Sequence, residues 1–425
     1  MTTWQQCSTC GTRMSELDPR VRCDCGGLLE VHHDAPVLRG ADLRALFDER
    51  WNLRVDVNLS GVWRYRELVL PGGAPHAVTH PEGNTPLLRR PALTKWAGLD
   101  ELLLKHEGHN PTGSFKDRGM TVGVTQARRI GASAVACAST GNTAASLAAY
   151  GAQAGIPALV FVPAGQVAMG KLAQSLAYGA KTLLVRGDFD TCLQLAEEAG
   201  ARLGVYLLNS INPFRVEGQK TIVFELLHQL DDWDPPDWIV LPAGNLGNTA
   251  AFGKALTEAQ SLGLIDRLPR LAAVQAAGAA PFAQGFAEGF TTRRRVKAET
   301  VATAIKIGDP ASWDRGVKSI RETNGVVTAV EDGEILEAKA VIDAAGVGCE
   351  PASAASLAGT RQLVERGIIR TDERVVAVLT GHLLKDPGIL LDYHQRSDPP
   401  PQGANRPIEI EADIREVERV VGSGE

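Results

Sequence analysis

Short apolar runs alternate with longer stretches of helical spacing from about residue 83 onward. The short runs predict strands at 135–138, 158–162, 183–185, 205–208, 239–241 and 271–274. Helices between such strands indicate βα units, in which parallel sheets are covered on both faces. Gly155 and Gly179 follow two of the helical stretches, where glycine is a favoured helix terminator. The pattern therefore predicts an α/β fold.

The pattern changes near the end of the chain. The segment 398–403 is rich in proline and predicts an extended linker. Beyond it, apolar residues at helical spacing predict a short amphipathic helix that packs on this chain or on a partner. These residues are Ile410, Ile414, Val417 and Val421.

Composition and charge limit the possible partners. With 425 residues the chain is long enough for two or three domains. Its 44 Lys and Arg against 50 Asp and Glu leave a net charge of −6, so nucleic acid is not expected as a partner. The densest basic run, 293–295, is interpreted as a solvated loop. The chain shows neither a secretory signal nor a bilayer-spanning apolar stretch, so we expect a cytoplasmic protein without a membrane partner.

The cysteines fall into two groups. Three of them, at 137, 192 and 349, lie in apolar or Ala-rich surroundings and are expected to be free thiols. Two close pairs near the N-terminus are typical of a small zinc ribbon with a closed tetrahedral site. The pairs are Cys7 with Cys10 and Cys23 with Cys25. Because the second pair is C-x-C, two interpretations remain: a structural zinc, or a ribbon that has lost tight metal binding.

Lys116 stands at the start of a predicted helix, behind a Pro/Gly turn in the segment 110–120. An amine attacks a carbonyl only when it is deprotonated, so a lysine whose charge is suppressed can carry a carbonyl cofactor. The alternative is an ordinary surface lysine. Three further segments, taken together, favour the first interpretation.

The first of these segments follows the predicted strand 239–241 and precedes an Ala-rich helix. Its glycines let backbone N–H groups approach an anion, and the helix N-terminus favours a phosphate. It matches neither G-x-G-x-x-G nor the G-K-[ST] of a P-loop, which disfavours nicotinamide and nucleoside triphosphates. The segment consists of Gly244, Asn245, Leu246, Gly247 and Asn248.

The other two segments also follow strands. One is a polar loop before a helix, whose hydroxyls can bind a carboxylate and whose amide can bind a ring hydroxyl; helix capping is the alternative. This loop contains Ser139, Thr140, Asn142 and Thr143. Thr380 ends an apolar strand, where a ligand's ring nitrogen can meet its hydroxyl, an arrangement that favours elimination and replacement over transamination. With Lys116, these segments indicate a pyridoxal phosphate site.

The same segments carry a resemblance to a known family. The matching segments are 110–120, 139–143, 209–215, 244–248, 303–313, 350–355 and 379–382. The chain resembles the threonine synthases, which belong to the tryptophan-synthase-β-like (fold type II) pyridoxal phosphate enzymes. The lysine and glycine segments are those of the superfamily, whereas 209–215, 305–313 and Thr380 resemble threonine synthases in particular.

The resemblance implies two doubly wound sheet domains, preceded by a small zinc-ribbon-like segment at 1–34. A large cofactor-binding domain is expected from 35–118 together with 210–396. A small mobile domain, 119–209, is expected to close over the cofactor. The rest, 397–425, is the proline-rich linker and the terminal helix. Because the family is commonly dimeric, a homodimer is expected.

The resemblance also implies roles for the site residues. Lys116 is the expected Schiff-base lysine and proton-transfer base, and Phe115 packs either by the cofactor ring or in the core. The segment 244–248 is expected to bind the cofactor phosphate, Asn142 a cofactor oxygen and Thr380 the ring nitrogen. The substrate carboxylate is assigned to the polar loop residues Ser139, Thr140, Asn142 and Thr143.

The substrate that the resemblance implies is O-phosphohomoserine, which reacts with water to give threonine and phosphate. Its phosphate needs a second anion site, for which Asn209, Ser210 and Arg215 are the candidates. The alternative for Arg215 is an ion pair with a carboxylate such as Glu217. The alternative functions are a cysteate synthase-like enzyme, a serine/threonine dehydratase and a non-enzymatic paralogue.

Overall fold

The computed structural model describes residues 1–53, 56–165, 169–396, 400–401 and 403–422. The strands of this part are β1 Thr3–Cys7, β2 Arg13–Ser15, β3 Leu29–His33, β4 Leu87–Arg89, β5 Leu102–His106, β6 Ala134–Ala138, β7 Ala158–Pro163, β8 Lys181–Val185, β9 Val205–Leu207, β10 Trp238–Pro242, β11 Arg270–Ala276, β12 Val326–Val330 and β13 Val375–Leu379. Its α-helices are α1 Gly40–Asn52, α2 Arg66–Val69, α3 Pro91–Ala97, α4 Lys116–Arg129, α5 Asn142–Ala154, α6 Met169–Ala177, α7 Phe189–Leu203, α8 Pro213–His228, α9 Gly247–Ser261, α10 Pro281–Ala287, α11 Trp313–Glu322, α12 Asp332–Ala344, α13 Pro351–Glu365, α14 Pro387–Leu391 and α15 Ile414–Gly422.

Three sheets organise these strands. A six-stranded sheet has the order β12-β11-β10-β13-β5-β4 and is parallel except for the antiparallel edge strand β4. A four-stranded parallel sheet has the order β8-β7-β6-β9. The N-terminal strands form a separate antiparallel sheet in the order β2-β1-β3. The larger sheet is assembled from chain on both sides of the smaller one, and the α/β fold is confirmed.

The six strands predicted from apolar runs are confirmed, although β9 ends one residue before the predicted 205–208. The strands β4, β5 and β12 escaped prediction. In β5 the charged Lys105 interrupts the apolar pattern, yet its side chain is fully buried because Glu225 neutralises it at 2.7 Å. The predicted helix ends also hold, since Gly155 terminates α5 in the left-handed conformation, with φ 67°.

Hydrophobic side chains pack on both faces of each parallel sheet. Trp63 and Tyr65, from the segment before β4, are fully buried in one core of the six-stranded sheet. In the described ranges, no helix is both long enough and apolar enough to pass through a bilayer.

The terminal helix differs from its prediction. It begins at Ile414, so Ile410 lies outside it. The side chains of Ile410, Ile414, Val417 and Val421 are exposed, and none of them belongs to a hydrophobic core of the described chain. Packing of this helix on a partner stays a prediction. Residues 398, 399 and 402 of the predicted linker lie outside the described residues.

Candidate active site

A cavity of about 1490 Å³ is lined by the segments that directly follow β6, β9, β10 and β13. The carboxyl ends of parallel strands are where α/β sheets collect ligands. The structure brings the predicted cofactor and substrate residues together in this wall, with the exception of Arg215. Those in the wall are Phe115, Lys116, Ser139, Thr140, Asn142, Thr143, Asn209, Ser210, Gly244, Asn245, Leu246, Gly247, Asn248 and Thr380.

Lys116 is the first residue of α4, and the turn before it is bound to the end of β13. The N–H of Phe115 donates to the carbonyl of Thr380 at 3.1 Å, and the N–H of His382 donates to the carbonyl of Gly113 at 2.8 Å. Gly113 adopts φ 86°, in the left-handed region that favours glycine. These bonds fix Lys116 beside the strand end that carries Thr380.

The buried carboxyl of Asp117 stabilises the turn that precedes Lys116 through hydrogen bonds. It accepts hydrogen bonds from the N–H of Thr112 at 2.7 Å, from the hydroxyl of Thr112 at 2.6 Å and from the hydroxyl of Ser146 at 2.6 Å. Burial raises the pKa of Asp117 to about 6. Since Ser146 belongs to α5, Asp117 ties the lysine turn to the helix that follows the polar loop.

The amine of Lys116 is prepared for attack on a carbonyl. Burial, reinforced by the positive charge of Arg215, lowers the pKa of Lys116 to about 7, while the carboxylate of Glu350 opposes this shift. The amine nitrogen lies 4.0 Å from the centre of the Phe115 ring. A substantial neutral fraction near pH 7 is what a carbonyl-binding lysine requires.

The glycine segment connects β10 to the first turn of α9. Leu246 takes the left-handed conformation, with φ 63°, and a Cβ on Gly244 would lie 3.0 Å from Cα of Ile305. Close backbone approach of this kind suits an anion bound by N–H groups at a helix N-terminus. The segment therefore has the geometry of a phosphate site.

Buried polar atoms in and beside the glycine segment lack partners. Oδ1 of Asn248 and the hydroxyls of Thr249 and Ser312 have no hydrogen-bond partner among the described residues. Buried polar groups are normally satisfied, so such atoms mark a place where a polar ligand completes the structure. On this observation the residues present fit pyridoxal phosphate.

The polar loop at 139–143 leads from β6 into α5. Gly141 is the N-cap residue of α5, and among the described residues no side chain caps this helix, so the capping alternative is wrong. The amide of Asn142 instead donates to Oε2 of Glu350 at 3.0 Å. Asn209 exchanges two hydrogen bonds of 3.0 Å with the backbone of Ala138, which fixes the end of β6.

Arg215 lies behind the wall, on α8, where its side chain is fully buried. Nη1 donates to the carbonyl of Leu208 at 2.9 Å, whereas Nε and Nη2 have no partner within the described part of the chain. The alternative pairing with Glu217 is wrong, because that carboxylate binds His33, Lys220 and Lys254. Burial lowers the pKa of Arg215 to about 10.

Glu350 is a wall residue to which sequence reasoning assigned no role. Its carboxylate accepts from the Asn142 amide and, at 3.3 Å, from the hydroxyl of Thr380, which also lies 3.0 Å from Oγ of Ser353. Burial raises the pKa of Glu350. The only signal in the sequence was its position at the head of the matching segment 350–355. It joins the residue predicted to bind a ring hydroxyl of the cofactor, Asn142, to the residue predicted to bind the ring nitrogen, Thr380.

The basic run 293–295 lies nearer the site than expected. Arg293 and Arg295 line the cavity, and both form ion pairs with Asp309, at 2.5 and 3.0 Å. Arg294 pairs with Glu288. The run is an exposed, paired loop as predicted, but it forms part of the cavity rim.

The four N-terminal cysteines are not part of this wall. Their sulfur atoms converge, and all lie within 4.8 Å of one another.

Comparison with known proteins agrees with this geometry. The sequence profile described as "Pyridoxal-phosphate dependent enzyme" matches residues 78–381. Threonine synthase from Methanocaldococcus jannaschii is 43% identical over 425 residues, covering 98% of this chain and 99% of that protein. Threonine synthase from Methanosarcina acetivorans is 47% identical over 390 residues, covering 91% of this chain and 93% of that protein.

Solved structures show the same fold. The crystal structure of threonine synthase from Escherichia coli has a TM-score of 0.68 at 18% identity and covers 99% of this chain and 100% of that one. Threonine deaminase isoform 2 from Solanum lycopersicum has a TM-score of 0.63 at 21% identity, with 84% and 95% covered. The chain therefore belongs to the pyridoxal-phosphate dependent enzymes of fold type II and, within them, to the threonine synthase family.

Proposed function

We propose that this enzyme converts O-phosphohomoserine and water into L-threonine and phosphate, with Lys116 as its central residue. The observation that carries the proposal is the presence, around one cavity, of an amine with a pKa near 7 and a phosphate-type glycine segment. The relatives at 43% and 47% identity, which are threonine synthases, support the same reaction.

Each group of wall residues has one task. Pyridoxal phosphate, when bound, withdraws electrons from the substrate carbon that bears the amino group. The segment 244–248 holds its phosphate, and Asn142 and Thr380 hold its ring. The amine of Lys116 would hold the cofactor and, once released, would take protons from Cα and Cβ of the substrate and return one proton to Cγ and one to Cα. Phosphate leaves from Cγ, and water adds at Cβ.

Two anion sites select the substrate. The hydroxyls of Ser139, Thr140 and Thr143, with the amide of Asn142, bind the carboxylate. Asn209, Ser210 and Arg215 bind the phosphate. The two guanidinium nitrogens of Arg215 that lack partners support this assignment, since guanidinium can bind phosphate through two parallel hydrogen bonds.

Movement between two domains connects these sites. We assign 119–209 to a small domain and 35–118 with 210–396 to a large one. The polar loop at 139–143 belongs to the first, and the glycine segment and Arg215 belong to the second. Binding of a substrate by both anion sites draws the domains together, so that Arg215 reaches the phosphate and water is excluded from the reacting carbons.

The decisive experiment compares substrates on the pure enzyme loaded with cofactor. We expect O-phosphohomoserine to yield equal amounts of phosphate and threonine. Phosphoserine with sulfite tests the cysteate synthase alternative, and release of ketoacid from threonine tests the dehydratase alternative. Absence of phosphate release from O-phosphohomoserine would overturn the proposal.

A matched pair of variants tests the role of Lys116. Lys116→Ala should lose the visible absorbance of the covalently held cofactor together with all turnover. Lys95→Ala, at the last turn of α3, should retain both. A protein that lacks this absorbance without any substitution would instead favour the non-enzymatic paralogue.

The assembly and location of the enzyme remain expectations from the sequence. We expect a homodimer in the cytoplasm, without nucleic acid as a partner. Light scattering coupled to gel filtration measures the mass in solution, and a mass of one chain would contradict the dimer.

A further inference from the structure

The N-terminal sheet has only a small hydrophobic cluster of its own. This cluster consists of Cys7, Cys23 and Leu29, with Met14 packed against it, whereas Val31 of β3 packs in the core of the six-stranded sheet. Small domains with so little buried apolar area usually depend on disulfides or a metal ion. The two cysteines of this cluster belong to the four whose sulfur atoms converge.

The distances between the sulfur atoms distinguish disulfides from a metal site. Sγ of Cys7 lies 3.5 Å from Sγ of Cys25, and Sγ of Cys10 lies 3.6 Å from Sγ of Cys23. A disulfide requires about 2.05 Å between sulfurs. Four thiolates at the Zn–S distance of about 2.3 Å in a tetrahedron are about 3.8 Å apart. These two separations are too long for disulfides and close to those of the metal site, and all four sulfurs lie within 4.8 Å of one another.

The backbone around the cysteines is shaped for thiolates. The N–H groups of Thr9 and Cys10 donate to Sγ of Cys7 at 3.4 and 3.5 Å. Gly26 has φ 83°, and a Cβ on Gly27 would lie 2.6 Å from the same sulfur. These two glycines let the chain turn tightly after Cys25, so the short C-x-C spacing still delivers both of its sulfurs.

We propose that Cys7, Cys10, Cys23 and Cys25 bind one structural Zn²⁺ and that this metal stabilises the N-terminal sheet as a bridge between the two parallel sheets. The thiols lose their protons to solvent when the metal binds. The site is separate from the cavity that contains Lys116.

One side of the bridge contacts helices and cores next to the four-stranded sheet. Glu16 forms an ion pair with Arg129 of α4 at 2.7 Å, and its carbonyl accepts from Gln126. Val21 packs against both cores of that sheet.

The other side contacts helices that pack on the six-stranded sheet. Nε2 of His33 lies 3.2 Å from Glu217 of α8, and Glu30 lies 3.4 Å from Arg315 of α11. Arg22, which precedes the proposed ligand Cys23 in the chain, lines the cavity. Loss of the metal should therefore weaken the contacts of the N-terminal sheet with both parallel sheets. It should also loosen Arg22 in the cavity wall.

The first test measures metal in the full-length enzyme by mass spectrometry. We expect about one zinc per chain. Cys10→Ser and Cys25→Ser, which change the two exposed cysteines, should lose it, whereas Cys192→Ala, which removes a buried thiol elsewhere, should retain it. Iron in place of zinc would overturn the choice of metal, and equal metal in wild type and Cys10→Ser would overturn the site.

The second test removes zinc from the wild-type holoenzyme with a chelator and follows hydrogen exchange. Exchange in β1 and β3 should accelerate about tenfold or more, since their stability is supplied by the metal. The value of kcat/KM should fall while the cofactor absorbance stays, because the bridge and Arg22 are affected and Lys116 is not. Unchanged exchange or unchanged kcat/KM would overturn the bridging role. The first test measures metal content without substrate, so its outcome does not depend on the proposed reaction.

Discussion

Two arginines of this enzyme are fully buried close to the cavity, and their surroundings are opposite. Arg118, on α4, makes two hydrogen bonds to Glu107, at 2.7 and 2.8 Å, and two to Glu225, at 2.7 and 3.4 Å. Arg215, on α8, has one backbone carbonyl as its hydrogen-bond acceptor, and two of its nitrogens lack a partner in the described chain. Burial of a charge is costly unless the charge is paired, so the two sites have different purposes.

The difference separates a charge that is paired within the protein, on Arg118, from a charge that is available to a ligand, on Arg215. Arg118, Glu107, Glu225 and Lys105 neutralise one another and hold the start of α4, where Lys116 lies. The free hydrogen-bond donors of Arg215 have no such structural explanation. A ligand anion would supply the missing partner if the phosphate site proposed above is correct.

The largest expected effect comes from disrupting the ion pairs around Arg118. Arg118→Met leaves Glu107 and Glu225 buried with too little positive charge, so the free energy of unfolding should fall by about 3–5 kcal/mol. Urea unfolding measures this loss. The matched variant Arg215→Met removes no ion pair and should change stability by less than about 1 kcal/mol. Equal losses for the two variants would refute the comparison.

The next expected effect concerns the region around Arg215. Arg215→Met should lower kcat/KM for O-phosphohomoserine about 100-fold, since charged hydrogen bonds contribute about 2–3 kcal/mol. Steady-state phosphate release provides the measurement. Arg202→Met, on the exposed side of α7, is the control and should leave the rate unchanged. Cofactor affinity should be the same in both variants; a loss confined to cofactor binding would contradict the phosphate site.

A smaller effect is expected at Glu350, whose carboxylate accepts from two neutral donors. Glu350→Gln keeps the shape but turns an N–H group toward one of those donors. Loss of one hydrogen bond, about 1 kcal/mol, should weaken cofactor binding about fivefold. Fluorescence titration of the cofactor-free enzyme measures the affinity. The exposed Glu334→Gln is the control, and indistinguishable affinities for the two variants would count against Glu350.

A further effect is a pH dependence that requires no substitution. Because the pKa of Lys116 is about 7, cofactor capture by the cofactor-free enzyme should accelerate about tenfold per pH unit below pH 7 and level off above it. Stopped-flow absorbance gives the midpoint. Arg215→Met should move the midpoint upward and Glu350→Gln downward, because these charges respectively lower and raise the pKa. A midpoint near 10.5 would show that Lys116 is an ordinary lysine.

The sign of the matching stability change follows from the same shift. The folded cofactor-free protein gives up the Lys116 proton near pH 7, whereas the unfolded chain keeps it to about pH 10.5. The unfolded state therefore binds more protons between these values, and this lysine makes stability rise with pH across that window.

Local patterns were enough for much of the fold and for the loops that carry the predicted site residues. Apolar runs located β6 to β11. In the central strands β6 and β10 every position is buried and apolar, whereas the edge strand β8 is largely exposed. Glycine, asparagine and hydroxyl residues directly after such strands located the loops at 139–143 and 244–248, since parallel strands bring their carboxyl ends to the same edge of a sheet.

Long-range pairing was beyond the sequence. The charged Lys105 concealed the buried strand β5 because its partner, Glu225, is 120 residues away. Glu350 was passed over for the same reason, since Asn142 and Thr380 give its carboxylate a function only after the chain has folded. The nearest carboxylate to Arg215 in sequence, Glu217, was the wrong candidate partner, because it belongs to a separate network with His33 and Lys220.

By itself, the sequence determined the α/β architecture, the position of Lys116 at a helix start and the residue types that surround a pyridoxal phosphate site. These features depend on periodicity, turns and caps within a few residues. The tertiary structure alone decided how far the pKa of Lys116 falls, which buried arginine is paired and whether a C-x-C pair completes a four-sulfur site. Burial and electrostatic interactions act between groups that are close in space, whatever their separation along the chain.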